Sequence, residues 1–385
     1  MKRALFLFNH DAAHQVAHLA GVAAATARTC PEIETVIAYA PAIRAEIDKH
    51  IAPDDAALIR WEELTLTGWR AALSRALDRV LPATRIARLH ANIPLFASAD
   101  IVVSTERTCL RLKRHFKHGK GPEFAKIPHG AGDRSVAWHD DYRRFDLTLV
   151  AGEKVVEQLV RNGVERDRIA IVGYPKFDAL AASAPPPPLF ENGRPTFVYN
   201  PHFDPHLSSW YDCGPDLLRW FAGPDGQAFN LVFAPHVMLF RKSLHVSPEY
   251  RTSRRRPDVP PEALAAPNIL VDTDGPRLFD MTYTRSADAY IGDASSQVYE
   301  FLADPRACFF LDCRKQREED PDLLSWQTGP VFHSAADLAA AIPDWQAIAD
   351  QYRAEQQRLF AYTIDLGDGP ANIRAADAIA AAISG

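Results

Sequence analysis

Asp288-Ala289-Tyr290-Ile291-Gly292-Asp293-Ala294-Ser295-Ser296 runs from a short apolar stretch into a glycine, an acid and two serines. An apolar run of four or so residues, closed by a glycine, reads as a buried parallel strand with a tight turn at its carboxyl end. Two more segments repeat the pattern with a histidine at the turn. Ala234-Pro235-His236 follows Leu231-Val232-Phe233, and Pro128-His129-Gly130 lies close to a short apolar run in the first half. In open α/β sheets ligands collect outside the carboxyl ends of the strands. Two imidazoles and a serine-bearing helix start therefore point to a site for a phosphorylated ligand.

Working outward, apolar runs alternate with helical patterns. Strands are predicted at 5–8, 35–39, 100–104, 147–150 and 169–172, and a helix at about 14–28. Pro185-Pro186-Pro187-Pro188 cannot continue a helix and reads as an extended linker. The alternation then restarts, with strands at 196–199, 230–233, 268–271, 288–291 and 308–311. The fold class predicted is α/β, with two Rossmann-like, doubly wound domains and a cleft between them. The expected domains are 1–183, 184–344, and a helical tail at 345–385 that returns to the first domain.

The 385 residues carry 47% hydrophobic and 24% charged side chains, enough for two ordinary cores. A net charge of -6 argues against nucleic acid as a partner. Five cysteines without a CxxC pair predict reduced thiols in a cytoplasmic setting and no zinc site. The apolar start at 4–8 stops at Asn9-His10-Asp11, too early for a signal peptide, and no run nears the roughly 20 residues that span a bilayer.

His129 lies in a glycine-rich turn, Pro128-His129-Gly130-Ala131-Gly132, where an imidazole can take a proton near neutral pH. His236 is placed to donate a hydrogen bond to a phosphate oxygen. Ser295 or Ser296 is a favoured N-cap type, and amides at that helix start suit an anion. Glu300, about one turn on, suits a ribose or acceptor hydroxyl. His202, Asp204 and His206 have a spacing seen in metal sites, but Pro201 before them and Pro205 among them favour polar lining instead. Asp272-Thr273-Asp274 reads as a polar loop rather than a metal pair. The reading calls for no metal and no cofactor, and Walker, GxSxG and HExxH motifs are absent from the chain.

The order His129-Gly130, Gly173-Tyr174-Pro175-Lys176-Phe177-Asp178, Tyr199-x-Pro201, His236 and Asp293-x-Ser295-Ser296 resembles the CDP-glycerol glycerophosphotransferases of teichoic-acid and capsule synthesis. The resemblance covers roughly 125–305. It implies a GT-B fold and a CDP-linked donor held mostly by the second domain. It implies His129 as catalytic base on an acceptor hydroxyl and Asp293 near the transferred glycerol phosphate. His236, Ser295 and Ser296 would hold the pyrophosphate, with Tyr199, His202 and Glu300 completing the donor site. The acceptor implied is a glycan or lipid-linked hydroxyl, and CMP is released.

The chain departs from that pattern at three places. His202-Phe203-Asp204 replaces a Thr-x-Arg pair, Val237 replaces proline, and Ala294 replaces an aromatic residue. Without that arginine another CDP-polyol or a nucleotide sugar also fits, as in a GT-B sugar transferase or a UDP-sugar epimerase. A non-catalytic nucleotide-binding relative would keep the serines without turnover.

Two basic runs predict a peripheral contact of the first domain with anionic membrane, on its cytoplasmic side. One follows Trp61 and Trp69 through Arg70, Arg75, Arg79, Arg85 and Arg88. The other is Arg111, Lys113, Arg114, His115, Lys117, His118 and Lys120.

Overall fold

The structure is a computed structural model, described for all residues except 11–12, 79–82, 117–120, 134–138, 182–185, 248–249, 315–322 and 385. The chain divides into two compact units. One comprises Met1–Ala131, Val136–Ala184 and Tyr362–Gly385; the other comprises Gly132–Ser135 and Pro185–Ala361. Helix Trp345–Thr363 thus begins in the second unit, while helix Ala371–Ser384 belongs to the first.

The first unit is built on a seven-stranded parallel sheet. Its strands are β1 (Lys2–Phe8), β2 (Ile33–Tyr39), β3 (Arg60–Glu63), β4 (Ile101–Ser104), β5 (Glu123–Lys126), β6 (Leu147–Val150) and β7 (Ile169–Ile171), in the order β3-β2-β1-β4-β5-β6-β7. Side chains alternate between the two faces of a strand. Ala4, Phe6 and Phe8 accordingly enter one core, with Ala20, Ala23, Ala375 and Ile379, while Leu5 and Leu7 enter another, with Leu89, Phe96 and Phe124. Burial on both faces explains why β1 reads as an unbroken apolar run.

Gly173-Tyr174-Pro175-Lys176-Phe177-Asp178 has a structural task in this unit. Gly173 adopts a φ of 82°, and a Cβ there would lie 2.6 Å from the Asp365 carbonyl oxygen. Asp178 accepts hydrogen bonds from the amides of Ala371 (3.1 Å) and Asn372 (2.6 Å), capping the terminal helix.

The second unit carries β8 (Thr196–Asn200), β9 (Asn230–Phe233), β12 (Ile269–Val271), β13 (Ala289–Gly292), β14 (Ala307–Leu311) and β15 (Val331–Phe332), all parallel, in the order β12-β9-β8-β13-β14-β15. A separate antiparallel hairpin pairs β10 (Leu244–Ser247) with β11 (Thr252–Arg255). The core gathers Phe197, Tyr199, Leu231, Phe233, Ile291 and Phe309 from the sheet, with Leu217, Leu218 and Phe221 from helix Gly214–Ala222. Both sheets are doubly wound, so the fold is GT-B-like, as the sequence predicts.

The cysteines depart from expectation. Cys213 and Cys313 form a disulfide with a Cα–Cα distance of 6.3 Å, while Cys30, Cys109 and Cys308 are buried thiols. The pair is 100 residues apart in sequence and joins the start of helix Gly214–Ala222 to the segment after β14.

The basic runs are only partly surface features. Trp61 lies on β3 with the Arg44 guanidinium 3.6 Å from its ring centroid, Arg85 pairs with Glu106 at 2.8 Å, and Lys113 pairs with Asp146 at 2.8 Å. Arg79, Lys117, His118 and Lys120 lie outside the described residues. No described helix is long and apolar enough to cross a membrane.

Candidate active site

The second sheet changes winding direction between β8 and β13, the position where doubly wound sheets hold ligands. Register places Asn200 beside Gly292 at the ends of these strands. The segment after each strand therefore starts from the same level, with Pro201-His202 on one side and Asp293-Ala294-Ser295 on the other.

Asp293 organises these segments. It is fully buried; Oδ1 accepts from the His202 amide at 2.9 Å, and Oδ2 accepts from the Ser209 amide at 2.7 Å and its hydroxyl at 2.8 Å. Burial pushes its pKa up to about 6, against the downward pull of the Ser209 and His202 donors. The carboxylate is thus occupied by this chain's own backbone and hydroxyl groups. Its role in the geometry is to fix where His202 and Ser209 stand.

His202 and His236 come together above β8 and β9. Their ring centroids are 5.3 Å apart, and the Phe203 ring lies 4.5 Å from one and 4.7 Å from the other. The His236 amide donates to the Pro201 carbonyl at 3.0 Å, tying the two turns to each other. Each imidazole accepts at Nδ1 from a nearby amide, Asp204 to His202 at 3.0 Å and Met238 to His236 at 3.2 Å. An accepting Nδ1 in a neutral ring puts the proton on Nε2. Two such rings make a pair of N–H donors suited to an anionic oxygen.

The remaining residues singled out from the sequence have distinct places. Ser295 is buried, its Oγ accepting from the Gln297 amide at 3.4 Å, whereas Ser296 is exposed at the N-cap of helix Gln297–Phe301 without a side-chain capping bond. That helix has five residues, so its aligned dipole is small. Glu300 is buried within it. Tyr199 is fully buried in the core, its hydroxyl 2.8 Å from Ser209 Oγ. It supports Ser209 from below, and burial raises its pKa well above the ordinary tyrosine value.

Asp204 accepts from the His206 amide at 2.8 Å, and Asp272 accepts from the Gly275 amide at 2.7 Å and the Tyr283 hydroxyl at 2.6 Å. Both carboxylates serve their own loops. No group of three metal-ligating side chains stands together among the described residues.

In the first unit His129 is exposed in the loop after β5, at the carboxyl end of the strand. Two buried amines hold that loop, and no sequence motif marks either of them. Lys126 Nζ donates to the Thr105 carbonyl and, at 3.4 Å, to the Ile127 carbonyl; Lys154 Nζ donates to the Ala131 carbonyl at 2.7 Å. Burial pushes the Lys126 pKa down to about 8. The chain then enters the second unit, where Asp133 accepts from the Tyr299 hydroxyl at 2.7 Å and the Ser325 amide at 2.9 Å. A Cβ on Gly132 would lie 3.0 Å from Ser296 Cβ, so this glycine permits close backbone approach to the serine pair.

No family model matches the chain, and no curated protein matches it by sequence. Solved structures do match over its full length. The wall teichoic acid polymerase TagF superposes with a TM-score of 0.62 at 14% identity, covering 100% of this chain and 89% of TagF. The UDP-GlcNAc 2-epimerase from Neisseria meningitidis, bound to UDP-GlcNAc, gives 0.58 at 12% identity and 100% coverage of both chains. The S. aureus MnaA–UDP complex gives 0.57 at 11% identity, covering 100% of this chain and 97% of MnaA. At these identities the likeness establishes a shared GT-B-like fold.

Proposed function

We propose that this protein is a transferase that moves glycerol phosphate, or a related polyol phosphate, from a CDP-linked donor to an acceptor hydroxyl. The observation that carries the reading is the cluster at the β8–β13 winding change. There His202 and His236 present imidazoles 5.3 Å apart, fixed by backbone hydrogen bonds and by buried Asp293. TagF among the full-length structural neighbours supports the same chemistry.

In this reading the Nε2–H groups of His202 and His236, with Ser295 and Ser296, bind the donor's diphosphate oxygens. Their hydrogen bonds offset charge on the oxygens as the transferred phosphorus is attacked. His129 takes the acceptor hydroxyl's proton while the new oxygen–phosphorus bond forms. The phosphorus–oxygen bond to the cytidylate breaks, and CMP departs. Asp293 acts by position, holding His202 and Ser209, rather than by touching the donor.

The acceptor belongs to a glycan or a lipid-linked saccharide of the cell envelope. A peripheral contact with anionic lipid, through exposed Arg111 and Arg114, belongs to the same reading and to a cytoplasmic-face location.

A second reading rests on the epimerase likeness. UDP-GlcNAc epimerisation on the same second-unit cluster would need no acceptor. Incubation with CDP-glycerol, with and without an acceptor, and separately with UDP-GlcNAc, followed by mass spectrometry and proton NMR of the products, separates the two. Acceptor-dependent CMP release supports the transferase. Conversion of UDP-GlcNAc to an isomer with an inverted sugar carbon, and no CMP from CDP-glycerol, supports the epimerase and overturns the first reading.

A further inference from the structure

We propose that Cys213–Cys313 is a reversible thiol–disulfide site whose state sets the order of the 203–213 segment and, through it, donor affinity. The affinity half of this inference rests on the donor reading above; the chemical half does not.

The position of the pair carries the argument. Cys213 ends the segment that starts at His202 and contains Ser209, the double donor to Asp293. Its amide donates to the Ser209 carbonyl at 2.9 Å, so movement at Cys213 reaches Ser209 directly. Cys313 follows β14, and the next residue, Arg314, donates from Nε to Asp212 at 2.8 Å. Arg254 of the β10–β11 hairpin grips the same Asp212 through both oxygens, at 2.7 and 2.8 Å. One covalent bond and one shared carboxylate thus fasten the segment to the end of β14 and to the hairpin. The ion contacts are partly exposed and screened, so the covalent bond is the stronger restraint.

The other thiols are unsuited to exchange. Burial pushes the Cys109 and Cys308 thiols up to about 12, and Cys30 is buried. Cys313 is only half-buried, and its Cα–Cα distance of 6.3 Å to Cys213 lies within the span a disulfide bridges. A small thiolate such as glutathione attacks Cys313 Sγ and forms a mixed disulfide. The Cys213–Cys313 bond breaks, and Cys213 leaves as a thiolate that takes a proton. A second glutathione thiolate attacks the glutathione sulfur of the mixed disulfide, Cys313 leaves as a thiolate that takes a proton, and two glutathiones have become one glutathione disulfide with two protein thiols released.

The test uses the full chain equilibrated over a range of glutathione to glutathione disulfide ratios. Thiols are trapped with iodoacetamide and mapped by mass spectrometry, and amide hydrogen exchange is followed across 203–213. CDP binding is titrated by calorimetry in both states. The expected result is labelling of Cys213 and Cys313 together, in the reducing range only. Exchange at 203–213 should rise at least tenfold in the reduced protein, and the CDP dissociation constant at least threefold. Cys313→Ser should behave as the reduced protein in either buffer, and reduction of the parent chain gives the same comparison if that variant does not fold. Cys213 and Cys313 labelled equally at every ratio, or identical exchange in both states, would overturn the proposal. Changed exchange with unchanged CDP affinity overturns its affinity half. If CDP binds neither state, the donor reading fails, while the exchange comparison still decides the switch.

Discussion

Replacing Asp293 by asparagine separates the energetic cost of its charge from the value of its hydrogen bonds. With a pKa near 6 in the folded chain and about 3.9 unfolded, the folded state retains a proton that the unfolded chain has released across this interval. Stability therefore falls as pH rises from about 4 to about 6, by some 1.4 kcal/mol per unit and about 3 kcal/mol in total, and is level above that. Asparagine is neutral throughout and contributes no such slope. Its amide nitrogen must face a donor: turned to the His202 amide it loses one bond, and turned to Ser209 it loses the amide's bond and must reverse the hydroxyl's, together with the hydroxyl's contact to Tyr199. The first orientation is favoured, at about 1–3 kcal/mol for one unsatisfied group.

The protonated acid meets a similar mismatch below pH 4, so the two proteins start nearly level. The difference between variant and parent should then shift by about 3 kcal/mol in the variant's favour between pH 4 and pH 7. Urea unfolding of both proteins at half-unit pH steps, followed by tryptophan fluorescence, measures this directly. Carboxylates elsewhere titrate alike in both and cancel. Parallel curves would refute the reasoning. A shift of opposite sign would mean that the hydrogen bonds of Asp293 outweigh its burial.

His129→Ala should lower turnover at least about a hundredfold with little change in donor affinity, as loss of a general base requires; steady-state kinetics and calorimetry check both. His236→Ala should weaken nucleotide binding by about 1.5–3 kcal/mol, read as the change in the CDP dissociation constant. Asp178→Ala removes the acceptor for two amides at the start of helix Ala371–Ser384 and should cost about 1–2 kcal/mol, seen in thermal or urea unfolding, with donor affinity unchanged.

The central strands were legible because parallel strands covered on both faces must be apolar throughout. Those at 5–8, 230–233 and 288–291 overlap β1, β9 and β13. Of the edge strands, β7 and β12 were anticipated at 169–172 and 268–271, whereas β3 and β15 were not. β3 reads Arg-Trp-Glu-Glu, half solvated and charged, and β15 has two residues. β5, Glu-Phe-Ala-Lys, lacks the apolar length of a strand signal because its last residue is a buried amine.

The turns of the candidate site were legible in the sequence; their hydrogen-bond partners were not. His129, His236 and Ser295 stand at strand ends, where the turn residues placed them. The partners of Asp293 are 84 and 91 positions away, and no local spacing encodes them. Lys126 and Lys154 look like surface charge in sequence; only the fold shows their amines bound to buried carbonyls. The Cys213–Cys313 pair was hidden for the same reason, since a separation of 100 residues carries no motif.

The excursion of Gly132 and Asp133 into the second unit bears on how this protein can be dissected or recombined. A fragment cut at the proline tract, carrying 185–361, would lack the Asp133 carboxylate that receives the Tyr299 hydroxyl and the Ser325 amide. Its far end would also sever helix Trp345–Thr363 two residues before its last turn closes. The second unit is therefore not a cassette. A chimera that exchanges the second unit must carry the short 132–133 graft along with the larger piece, and junctions chosen from the linker alone would strand a buried hydroxyl and a backbone amide.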